Sequence, residues 1–300
     1  MSFILRRCVF AMWALLAAFQ AHAQQGVAVG FVLDVTGQVV LSAGGNRQRA
    51  EILDRIDIAH TLTVPIGGKV VFLFRPERAE YTFFGPAAIQ FGAGGVVVKT
   101  GNAGLVRSLP AGVSVRLEPN SRTRPEVRAT ATGMISPDVG ETVLTNRPIF
   151  SWDSGAARST YELTLIDCGS DLVNCSGIPM KVTLQAPSWR PSEEDALLWG
   201  HFYRWTVSQQ AKKKTRSDQQ GWFFVVAPEQ LELLSALHPG ESSEIAPYVL
   251  YAQALEEAGA RREARDIWQQ LTTIRPEQRA FTCKAAGRAA EQCRRIGEPN

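Results

Sequence analysis

The chain has 300 residues, 45% apolar and 20% charged, an ordinary globular balance with room for two or three domains. That composition excludes disordered, collagen-like and multi-span membrane proteins. The formal charge is +3, and Arg6 and Arg7 lie in a segment expected to be removed, which leaves +1; charge therefore selects neither nucleic acid nor a membrane surface as a partner.

Residues 1–23 read as an export signal. Arg6 and Arg7 form its basic start, Val9 to Phe19 its apolar run, and Ala21-His22-Ala23 an A-x-A cleavage site. The apolar run is about a dozen residues, short of the roughly 20 that a spanning helix needs. Cys8 precedes the run and so cannot be the lipid-modified first residue of a lipoprotein. The expectation is a mature protein that starts at Gln24, soluble in the periplasm and without an integral membrane segment.

Cys168, Cys175, Cys283 and Cys293 remain after cleavage, and an even number in an exported chain favours disulfides. Of three connectivities, local pairing of Cys168 with Cys175 and Cys283 with Cys293 is the simplest; a zinc site is the alternative. On a straight helix, ten residues span about 15 Å, too far for a bond. The second pair therefore requires that segment to fold back, with Gly287 as the hinge.

Val29 to Leu117 is β-branched, aromatic and glycine-rich in short runs, an all-β segment. The candidate strands are Val29 to Thr36, Gln38 to Ser42, Thr61 to Val64, Lys69 to Phe74, Tyr81 to Phe84, Ala88 to Phe91, Val96 to Thr100 and Val113 to Leu117. Lys69 to Phe74 is apolar on both parities, which means burial on both sheet faces. The breaks at Gly44-Gly45, Gly67-Gly68, Gly85-Pro86 and Gly94-Gly95 are turns, and the spacing suggests a small barrel, sandwich or rolled sheet. The succession Gly37-Gln38-Val39, Leu62-Thr63-Val64-Pro65, Gly67-Gly68, Val70 to Phe74 and Tyr81 with Gly85-Pro86 resembles the periplasmic FecR domain over about 70 residues. It departs from that pattern at Asp57-Ile58-Ala59-His60, where the family has Gly-Asp. FecR relatives that transmit iron signals carry a cytoplasmic segment and a membrane helix before this domain. The expectation here is that this chain lacks both and does not relay a signal alone.

Residues 118–141 read as a linker, with Pro119, Pro125 and Pro137 among small polar residues. Arg116, Arg122, Arg124 and Arg128 make the stretch basic, a solvated charge run or a contact for an anionic partner.

Residues 142–227 form a second β pattern, in which Tyr161, Leu163 and Leu165 share one face of their strand, as do Tyr203, Trp205 and Val207 of theirs, the alternation of a sheet with one buried and one wet face. Pro148-Ile149-Phe150-Ser151-Trp152, Tyr161-Glu162-Leu163 and Gly200 to Val207 are similar to fibronectin type III and related immunoglobulin-like modules. The resemblance makes Trp152 and Trp205 core residues; Trp189, Trp199 and Trp222 remain available for an aromatic binding platform. Lys212-Lys213-Lys214 fits a hairpin tip.

From residue 228 to 300 the periodicity is helical, with helices expected over Glu229 to Leu237, Glu244 to Ala258, Arg261 to Ile274 and Glu277 to Ile296. Ser243 is the expected cap of the second. Tyr248, Tyr251, Ala252, Leu255, Gly259, Ala264, Trp268, Leu271 and Pro276 follow the spacing of a tetratricopeptide repeat. That resemblance implies a groove whose partner-facing side includes Val249, Gln253 and Glu256.

The chain carries no nucleophile-elbow, zinc-protease, P-loop, Rossmann, C-x-x-C or EF-hand pattern. Asp54 with Asp57, and Glu193, Glu194 and Asp195, are the carboxylate groups that a glycosidase could use. His60, His201 and His238 have no carboxylate or cysteine at motif spacing. The expectation is a multidomain protein, mainly β with an α-helical C-terminal domain, and no enzyme, cofactor or metal. It would act as an adaptor or regulatory component for an envelope protein partner, or alternatively bind cell-wall or exported polysaccharide.

Overall fold

A strand with apolar side chains on both faces is stable only where both faces are covered. The computed structural model, which describes residues 28–111, 136–152, 160–210 and 216–287, shows how Lys69–Phe74 meets that requirement. Ten strands form the first unit: β1 (Ala28–Thr36), β2 (Val40–Ala43), β3 (Asn46–Arg49), β4 (Arg55–Asp57), β5 (Thr61–Val64), β6 (Lys69–Phe74), β7 (Ala79–Phe84), β8 (Ala87–Gly92), β9 (Gly95–Thr100) and β10 (Leu105–Ser108). They make two five-stranded antiparallel sheets, β10-β7-β6-β1-β4 and β3-β2-β5-β8-β9. Phe72 of β6 points between the sheets. It meets Phe91 of β8 edge-on at 5.1 Å and stacks with Tyr81 and Phe83 at 5.5 and 5.9 Å.

The opposite face of β6 carries Val71 and Leu73, paired in register with Asp34 and Phe31 of β1. All four are buried, and the cover comes from the far end of the chain. Four helices close the sequence: α1 (Pro228–Leu237), α2 (Ile245–Ala258), α3 (Arg261–Ile274) and α4 (Arg279–Ala285). Helix α2 packs on β1 and has no exposed residue; it is apolar over most of its circumference, with Gln253, Glu256 and Glu257 in its last turns. Helix α3 is amphipathic, burying Ala264, Trp268 and Leu271 against α2 and α4. Gly259 turns the chain between α2 and α3 at φ +85°, a left-handed conformation that favours glycine. Ser243 does not cap α2: the cap position falls on Glu244, whose N–H donates to Ser242 Oγ at 3.2 Å.

The second unit is a sandwich. Its larger sheet takes β11 (Glu141–Val143), β13 (Thr160–Asp167), β14 (Pro179–Leu184), β16 (Phe202–Gln210) and β17 (Arg216–Val225) in the order β11-β17-β16-β13-β14. Among the described residues the smaller has β12 (Phe150–Ser151) and β15 (Ser188–Trp189). Strands β12 to β17 thus occupy the places of B, C, C′, E, F and G in an immunoglobulin-like sandwich, and β11 runs parallel to β17. Tyr161, Leu163, Leu165, Tyr203, Trp205 and Val207 are all buried in its core. Residues assigned from sequence to the linker take part in it, since Ser136 bridges Ser151 and β11 begins at Glu141. The expected strand Val113 to Leu117, the arginine-rich stretch up to Arg128 and the lysine tip lie outside the described residues, as do residues 1–27.

The helical end also holds the sandwich. The Arg261 guanidinium donates to the Val139 and Gly140 carbonyls at 3.1 and 2.9 Å, and the Thr142 N–H donates to the Gly259 carbonyl at 3.0 Å.

A chain ending at Ala227 uncovers Phe31, Val71 and Leu73, and is expected to bind a hydrophobic dye and self-associate in gel filtration. In the full chain, Trp268→Ala should cost about 3–5 kcal/mol in urea unfolding. Two carboxylates under this interface respond to pH. Burial, reinforced by Glu244, raises the Glu80 carboxyl above its ordinary value against the opposing pull of Arg107. Burial, with Glu141 and Asp266, does the same to Glu263. The folded state therefore binds protons more tightly than the unfolded chain, so stability rises as pH falls through the folded values toward 4.5. Glu80→Gln and Glu263→Gln should each flatten the dependence of Tm on pH across that window, as followed by calorimetry.

Candidate protein-binding site

The residues that the repeat-like helices would offer to a partner are engaged by the chain itself. Val249 is 0% exposed, inside the core shared by α2 and the first β unit. Gln253 is half-buried. Glu256 ties three helices together: its Oε1 accepts the Trp268 Nε1–H at 2.9 Å, and its Oε2 accepts Lys284 Nζ at 2.7 Å. Val249 and Glu256 are therefore taken up in the chain's own packing, while Gln253 stays half-open.

A surface with open apolar groups lies instead on the sandwich. The larger sheet has five strands and the smaller two, so the inner face is short of cover near β14. There a cleft of about 250 Å³ opens, floored by Leu165, Met180, Leu197 and Tyr203. Ile178 and Leu198 flank it, 92% and 55% exposed. Large apolar side chains that stay exposed beside a cleft are a mark of interaction surfaces. Asp167, Glu194 and Asp195 make the lining acidic, and it contains no lysine or arginine.

The acidic end is rigidly built. Asp167, the last residue of β13, stands opposite Tyr203 of β16 in register. Its carboxylate meets His201 Nδ1 at 2.9 and 3.0 Å, and accepts the Gly169 N–H at 2.8 Å and the Tyr203 hydroxyl at 3.4 Å. Tyr203 accepts the Leu198 N–H at 2.8 Å. Burial, with Asp167 adding to it, pushes the phenol up to about 12 against the Leu198 hydrogen bond, so it stays a donor. Asp195 closes a local turn with Ser192, accepting its hydroxyl at 2.7 Å. Cys168 and Cys175 form a disulfide that closes the loop directly after Asp167, so two of the thiols considered for zinc are taken. Cys283 is disulfide-bonded as well; Cys293 lies outside the described residues.

The other candidate residues serve local structure. Asp57 accepts Arg55 Nε at 2.6 Å, Asp54 accepts the Glu51 N–H at 2.8 Å, and Glu193 meets Arg147 at 3.3 Å. His60 accepts the Asp57 N–H, and His238 packs edge-on against Tyr251. Trp152, Trp205 and Trp222 are buried, and Trp189 and Trp199 are half-buried against the sandwich core. The aromatic platform considered for sugar stacking is therefore largely absorbed into packing. Sequence reading missed the meeting of Asp167 with His201 and Tyr203, which are more than thirty residues away along the chain. The signal that could have found it is register: Tyr161, Leu163 and Leu165 sharing a face with Tyr203, Trp205 and Val207 sets β13 against β16.

No family model matches the chain, and no curated protein matches it. Among solved structures it is similar to the crystal structure of chicken CNTN1 FN1-FN3 domains, at 8% identity and a TM-score of 0.23, with 63% of this chain and 56% of that chain covered. The chain thus spans little more than half the length of that structure.

The short loop closed by Cys168 and Cys175 gives a direct test of how the acidic end is held. Replacing both by serine should lower stability by about 2 kcal/mol in urea unfolding.

Proposed function

We propose that this chain is a non-enzymatic, exported component of the cell envelope that works by binding another protein, with the β14 cleft as its binding surface. One observation carries the reading: Ile178 and Leu198 stand exposed beside an apolar floor and the carboxylates of Asp167, Glu194 and Asp195. A combination of that kind gives affinity through apolar burial and selectivity through charge. The signal-like residues 1–23 support a periplasmic location. The FecR-like pattern of the first β unit supports an adaptor or regulatory role there, and the repeat-like helices serve as its scaffold. The sandwich form of the second unit supports the reading, since such a module presents sheet edges and end loops.

A photo-crosslinking amino acid at position 178 or 198, in cells exporting the full chain, tests this reading. The expected result is one discrete protein adduct at both positions and none at Val106, which is as open as Leu198 but lies on the first unit. The adduct should weaken at least fivefold when Glu194 and Asp195 are both changed to lysine. Adducts that are position-independent, absent, or composed of polysaccharide would overturn the proposal.

A further inference from the structure

We infer that the partner engages this surface as an extended segment that adds to β14 as a sixth strand of the larger sheet, with apolar side chains at alternate positions and a lysine or arginine at the end nearest Asp167. The inference rests on the protein-binding reading of the same cleft and states what kind of segment fills it.

Among the described residues, strand β14 is the outer strand of its sheet and pairs with β13 alone. Alternate N–H and C=O groups of such a strand point away from its neighbour. Among the described residues, no backbone bond beyond that pairing involves residues 179–184. The inner face of this edge is an unbroken apolar row, Ile178, Met180, Val182 and Leu184. Across the pairing, Leu165, Leu163 and Tyr161 are buried, whereas Met180, Val182 and Leu184 are only half-buried. The missing cover lies on the open side of β14.

An added strand would lie about 4.8 Å away and place every second side chain on that face. A helix pairs its backbone groups within itself and would leave the open N–H and C=O groups of β14 without partners. Edge strands are commonly blocked by an inward charge or a proline. Here Lys181 is drawn back onto Glu162 at 3.1 Å, on the face away from the core, and Pro179 stands at the very start of the strand. The three lining carboxylates, with no cation among the lining residues, select a basic residue at that end of the incoming segment.

The test uses the full chain and a displayed library of random ten-residue peptides, counter-selected on the Ile178→Asp/Leu198→Asp variant after circular dichroism shows that this variant is folded. Enriched peptides are expected to alternate apolar and polar residues and to end in lysine or arginine. N-methylation of alternate backbone amides should weaken them at least tenfold in one parity and little in the other, and Glu194→Lys with Asp195→Lys should weaken them at least fivefold. Binders that need Ile178 and Leu198 but tolerate N-methylation in both parities would overturn strand addition and leave the protein-binding reading standing. Failure to enrich any peptide that depends on those two residues would overturn both.

Discussion

The structure depends on the two-sided burial of β6. Its even-numbered residues meet the facing sheet through Phe72 and Phe91, a contact between neighbours in sequence. Val71 and Leu73 lie on the other face, beside β1, where the cover is α2, which begins about 170 residues later. The outer face of β6 and β1 is thus a site that the rest of the chain must come back to fill. Closing so long a loop costs little more than closing a moderate one, because the entropy grows only with the logarithm of length, but it places the decisive contact late in assembly. The polar groups under that contact are the cost of the arrangement: one oxygen each of Asp34 and Glu80 is buried without a hydrogen-bond partner.

Much of this was legible in the sequence where periodicity is strong. The double-sided apolar run at Lys69–Phe74, the alternation at Tyr161–Leu165 and Tyr203–Val207, and the α3 stripe of Ala264, Trp268 and Leu271 all appear where pattern placed them. What pattern could not supply was identity of the cover. A strand apolar on both faces says that two partners exist, not that one of them is a helix from the opposite end. For the same reason Val249, which repeat spacing assigned to an open groove, lies in the core: the repeat pattern describes a helix pair and is silent on what stacks against it. Strands β3 and β4 escaped because Asn46–Arg49 is polar throughout and Arg55–Asp57 is only three residues long. Both are held by backbone pairing to a neighbour, which leaves no trace in hydropathy. Ser243 had the chemistry of a cap, but the helix starts one residue too late for it to act.

The sandwich is built on an inequality. Five strands on one side and two on the other cannot cover each other, and loops make up only part of the difference: Leu197 fills the centre, while Met180, Val182 and Leu184 stay half-open. A stable module tolerates this because its centre is dense in aromatic contacts, with Phe150 edge-on to Phe223 and Trp152 edge-on to Tyr161. The core is therefore satisfied at its middle and unsatisfied at one rim, and it is the rim beside the disulfide and Asp167 that is braced against movement.

The bonds from Arg261 and Gly259 to residues 139–142 have a mechanical consequence. The same turn that closes α2 against the first β unit also grips the sandwich, so it works as a keystone between two arches. The helical piece is thus bonded to both β units, and a load applied at the β14 rim is carried through the sheet to β11 and into the helices.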